Sequence, residues 1–209
     1  MDMLETLKIP AEKKALILAL DDVLFPKKDY LLQVYYLFAH LLEYTETVPP
    51  AADLTEFLKT AYLHHGEGGL FDRAAEVFGI DSKYKEPFDR MHITANLPLK
   101  LLLFPPVFEM LQEADAAGKR LFILTGGTPA MQLNKLKHTD WQGLDRSITV
   151  YFGEELMEKN LDPMKFLLEE NGLQAQEVLY IYASGDEQNT FAPDMDRMHV
   201  DRILNQYNP

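Results

Sequence analysis

The chain has 209 residues, 47% of them apolar, which suffices for one ordinary domain with a real core plus a smaller insertion. A formal net charge of −13 argues against nucleic acid, whose phosphates need a basic face, and against anionic membrane surfaces. There is no cysteine, hence no disulfide, thiolate metal site or cysteine nucleophile. No apolar run matches a bilayer span or a signal-peptide core, so the expectation is a soluble, cytoplasmic protein.

An unbroken apolar run at residues 15–20, between Lys14 and the acids Asp21 and Asp22, predicts a buried strand of a parallel sheet, closed by Pro26. From Asp29 the spacing of Leu31, Val34, Tyr35, Phe38, Leu41 and Leu42 predicts a helix, and Leu32, Tyr36 and Leu37 make its other side apolar too. Pro49 and Pro50 break it. Residues 53–65 predict a second helix, a glycine-rich loop follows, and residues 71–78 and 83–92 predict two shorter ones. Residues 27–97 therefore read as an all-α insertion.

Strands and helices then alternate. Residues 107–117 predict a helix, 120–124 a strand, 129–137 a helix and 147–152 a strand. Residues 163–170 predict a helix stopped by Asn171-Gly172, and 177–182 a strand. Residues 198–207 add a last strand or helix. This alternation predicts an α/β fold with a doubly wound parallel sheet, formed by residues 1–26 and 98–209.

Ligands of such sheets bind outside the carboxyl ends of the strands. Three loops there carry chemistry. Asp21-Asp22 is either a catalytic pair or a polar strand end. The turn Thr125-Gly126-Gly127-Thr128 either holds an anion or simply caps a helix. The third loop spans residues 182–187. His64-His65, beside glycines, could bind a metal, but such a pair, like His92, reads as ordinary loop and helix histidines, and Trp141 reads as core or interface rather than a stacking platform. The chain has no G-x-G-x-x-G, P-loop or H-E-x-x-H pattern.

Together these loops resemble the four motifs of the haloacid dehalogenase superfamily. Residues 14–25, KALILALDDVLF, match an apolar strand ending in D-x-D-x-[TV]-L, with Ala19 in place of the first acid and Asp21 as the second. Sliding the frame to make Asp21 the first acid puts Val23 at the second and fits worse. Residues 121–125 match the second motif, ending in Thr125. Lys159 is the best match to the lysine of the third, with Lys165 second. Residues 178–187 match V-L-Y-V-G-D-S-x-x-D, with Tyr182 for the glycine, Ala183 for the first acid and Glu187 at the second.

The resemblance implies a Rossmann-type core with a type 1 helical cap at residues 27–97. In the family the first aspartate attacks phosphorus and the second is the general acid and base. Magnesium is held by the first aspartate, a backbone carbonyl and the fourth-motif acid. Alanine can neither attack phosphorus nor ligate a hard cation. At Ala19 and Ala183 the resemblance thus implies a pseudoenzyme with no expected cofactor, or magnesium only where Asp186 and Glu187 rebuild a site. Thr125, Gly126 and Lys159 remain as ligand-binding positions. Two functions stay open. One is a catalytically degenerate relative that binds a small anionic or phosphorylated ligand or a protein partner. The other is a hydrolase, a phosphatase of a small phosphorylated metabolite, in which Asp21, Asp22 or Glu187 activates water.

Overall fold

The computed structural model describes residues 9–184 and 194–205. In chain order it contains β1 (Ala15–Leu18), α1 (Lys27–Glu46), α2 (Ala51–His65), α3 (Leu70–Phe78) and α4 (Lys85–Thr94). These are followed by β2 (Leu101–Leu102), α5 (Pro105–Ala116), β3 (Arg120–Thr125), α6 (Pro129–His138), β4 (Thr139–Asp140), β5 (Ile148–Phe152) and α7 (Gly153–Glu158). The last are α8 (Pro163–Glu170), β6 (Val178–Tyr182), β7 (Asp196–His199) and α9 (Asp201–Leu204). The described residues of Met1–Pro26, Leu102–Gln132 and Thr139–Pro209 form one compact unit, and Lys27–Leu101 with Leu133–His138 form the other.

The first unit is built on a five-stranded sheet in the order β5-β3-β1-β6-β7. Every strand pairing in it is parallel, as the alternation of strands and helices predicts. A parallel sheet is covered on both faces, so its central strand is apolar at every position, and all four residues of β1 are buried. One face is packed by Ala15, Ile17, Phe122 and Tyr180 against Met164 and Leu167 of α8. The chain winds outward from β1 to β3 to β5, then returns to lay β6 on the other side of β1. The winding reverses between β1 and β6, the place where open parallel sheets take their ligands, at the carboxyl ends of the strands.

The second unit is helical. Its longest helix, α1, buries Tyr30, Leu31, Val34, Tyr35, Phe38, Ala39 and Leu42, a helically spaced stripe. Phe88 of α4 meets Phe38 edge-on, with ring centroids 4.9 Å apart, and stacks on Tyr35 at 6.1 Å. The end of α6 is tied in by polar bonds. Asn134 donates from Nδ2 to Tyr30 Oη and to the Ala95 carbonyl, both at 3.0 Å, and the Leu97 N–H donates to His138 Nε2 at 3.1 Å. Among the described residues no helix is long and apolar enough to cross a membrane.

Candidate functional site

The site grows from the carboxyl ends of β1, β6 and β3. Beyond the last paired residues of β1 and β6, Leu18 and Ile181, come Ala19 and Tyr182, and the Ala19 N–H donates to the Ile181 carbonyl at 3.0 Å. Ala19 is 4% exposed and Ala183 5%, and both lie just past the paired ends of the neighbouring strands β1 and β6, on either side of the reversal. The chain then folds into a tight loop. The Leu24 N–H donates to the Leu20 carbonyl at 3.1 Å and the Asp22 N–H to the Phe25 carbonyl at 3.0 Å. Val23, Leu24 and Phe25 are buried, Asp21 is half-buried and Asp22 is exposed, in the left-handed region at φ 59°.

Thr125 ends β3 and is 2% exposed. Its hydroxyl donates to the Gly126 carbonyl at 3.3 Å. Gly127, at φ 83°, takes a conformation that other residues rarely adopt. The end of β5 packs tightly here. A Cβ at Gly153 would lie 3.3 Å from the Thr125 carbonyl oxygen.

Two side chains that no sequence motif marks meet at this turn. The Gly127 N–H donates to Glu154 Oε1, and Gln132 Nε2 donates to the Gly126 carbonyl at 2.5 Å while lying 3.5 Å from Asp21 Oδ2. Gln132 Oε1 and Glu154 Oε2 are buried without a hydrogen-bond partner. The structure thus brings Asp21, Thr125 and Gly126 together, joined by Gln132 and Glu154.

Neither candidate lysine bonds to this group among the described residues. Lys159, at the end of α7, and Lys165, on α8, are exposed, and Lys165 Nζ lies 3.8 Å from Glu169 Oε1. Among the described residues no hydrogen bond or ion pair joins either lysine to Thr125. Asp186 and Glu187 lie outside the described residues. The Tyr182 ring stacks on Tyr180, with centroids 6.0 Å apart, meets His199 edge-on at 5.3 Å, and packs against the α8-side core.

Ser184, His199 and Asp201 also adjoin. Ser184 Oγ lies 3.1 Å from His199 Nε2, and Asp201 Oδ2 3.3 Å from Nδ1. However, the Asp201 backbone N–H also donates to Nδ1 at 3.2 Å, so the carboxylate does not hold that nitrogen alone, and where the N–H holds it the ring proton sits on Nε2 and faces the serine. A general base needs the opposite arrangement.

A family profile for haloacid dehalogenase-like hydrolases matches residues 20–192. The chain belongs to this family. Among solved structures it resembles the HAD-hydrolase YfnB of Bacillus subtilis, determined bound to magnesium, with 14% identity and a TM-score of 0.55. That likeness covers 94% of this chain and 99% of the other. The L-2-haloacid dehalogenase RSc1362 is similar at 14% identity and a TM-score of 0.51, covering 92% and 97%. At such identities the likeness is one of fold. A search of curated proteins found no match.

Haloacid dehalogenase-like hydrolases typically use magnesium. Ala19 and Ala183, which the motif resemblance sets at two of its positions, carry methyl groups that do not fit the ion, because a hard dication needs oxygen. Among the described residues no three His, Asp or Glu side chains cluster to hold a metal.

Proposed function

We propose that this chain is a haloacid dehalogenase-like protein that has lost aspartyl-phosphate chemistry and acts by binding, taking a small ligand or a protein partner at the strand-end crevice. One observation carries the proposal: Ala19 and Ala183 occupy adjacent strand ends at the reversal of the sheet, where covalent attack and metal ligation would both need a carboxylate. Removing the nucleophile and a metal ligand strikes the same step. Lewis-acid stabilisation alone is worth on the order of several kcal/mol of transition-state energy.

Asp21 does not replace what is missing. It is drawn toward the Gln132 amide, and its neighbour Asp22 turns out at a positive φ. The proposal is tested by a panel of aryl phosphates, small phosphorylated metabolites and 2-haloacids with the pure protein, with and without magnesium. The expected result is no turnover above buffer. Turnover that Asp21→Asn abolishes would instead support a hydrolase in which this acid activates water.

A further inference from the structure

We infer that Glu154 is the resident occupant of the turn at residues 125–128, an intramolecular carboxylate seated where an oxyanion would bind, and that it sets the turn against phosphate. The inference deepens the binding function proposed above, but it fails in a different experiment.

The turn leads into α6, ten residues long, whose N-terminal N–H groups and dipole favour negative charge. That charge is already present. The Gly127 N–H donates to Glu154 Oε1, and one N–H pointed at a carboxylate is not available to a phosphate oxygen. The contact is fixed by the sheet rather than by chance. Thr125 pairs with Phe152 across β3 and β5, and Glu154 follows two residues later, in the first turn of α7. Gly153 brings the two backbones close enough for the side chain to reach.

An occupant tethered this closely competes at an effective concentration in the millimolar range or above, which a free anion must exceed. The surroundings add to the exclusion. Gln132, 3% exposed, spends its Nε2 donor on the Gly126 carbonyl and leaves Oε1 buried without a partner, as is Glu154 Oε2. With Asp21 alongside, an incoming phosphate meets acceptors and like charge, and finds few donors.

The fit is nevertheless imperfect, because the second carboxylate oxygen has lost water and gained nothing. Removing Glu154 should therefore free the turn without wrecking it. The test titrates inorganic phosphate into the full chain in EDTA and follows the Gly126 and Gly127 amide resonances. The native protein should show no saturable shift. Glu154→Ala should bind phosphate saturably, at least about tenfold more tightly than the limit set by the highest concentration the native protein is given, with Gly127 shifting. Glu154→Gln keeps the shape, removes the charge and serves if the alanine variant folds poorly. It should gain about threefold or more, because a charged acceptor holds an N–H roughly twice as strongly as a neutral one. Saturable binding to the native protein at Gly127 overturns the inference. So does the absence of any gain in both variants, or a gain that leaves Gly127 unmoved. No metal is present and no turnover is read, so the loss of catalysis proposed above stands or falls separately.

Discussion

A methyl group has no lone pair, and the chemistry at positions 19 and 183 turns on that. Restoring one carboxylate should not restore function. Ala19→Asp alone would bury a charge close to Asp21 with no metal to neutralise it, costing roughly 3 kcal/mol or more. Ala183→Asp alone should behave similarly. If the proposed motif alignment holds, together they supply two magnesium ligands. Tyr182→Gly completes the motif but strips a ring held by Tyr180 and His199, so the triple variant should start less stable than the native chain. Melting curves of native, single, double and triple proteins, with and without magnesium, read the outcome. Saturating a rebuilt site a hundredfold adds about 2.7 kcal/mol, a shift of roughly 5–10 °C for a chain of this size. That shift should come with the triple variant, ahead of any turnover, because coordination tolerates misplacement better than in-line attack. If the triple variant ignores magnesium, the two alanines do not share one site. The alanines could be read from the sequence because a motif surrounds them. Glu154 could not, since its role depends on the β3–β5 register and on no local pattern.

Elements were readable where sequence marks both ends. The span 163–170 agrees with α8 at both ends, since Asp162 caps it by accepting from the Lys165 N–H at 2.8 Å and Asn171-Gly172 stops it. By contrast α7 leaves no periodic signal, being six residues, half of them acidic, with too few apolar positions to show a period. The tail, left open between strand and helix, holds both β7 and α9. On α4, burial holds the His92 imidazole below its ordinary value of 6.5, opposed by the Phe88 carbonyl, Glu67 and Asp89. The folded state thus favours the neutral ring. Its contribution is complete above the unfolded value and is lost as pH falls below it. Stability of the native chain should therefore drop between about pH 7.5 and pH 5.5 by more than that of His92→Phe, which keeps a ring against Phe88. Equal losses in urea melts at the two pH values would contradict this.

For the molecule as a whole, apolar runs and their alternation with helices foretold the doubly wound sheet. Strand order came only from the structure, since nothing local says that β6 lies beside β1. The helical unit includes residues 98–101 and 133–138 besides 27–97: the Leu99 N–H donates to Gln33, and Asn134 and His138 bond to Tyr30, Ala95 and Leu97. Such long-range polar bonds leave no mark in hydropathy. The claim that the family's covalent chemistry is gone is open to a rapid-quench burst experiment. The native chain is mixed with excess aryl phosphate and magnesium, quenched in acid, and searched by mass spectrometry for a phosphorylated aspartate while released phenol is counted. We predict an unmodified protein and phenol release at the buffer rate. A magnesium-dependent phosphoaspartate, formed and discharged with turnover, would contradict the account.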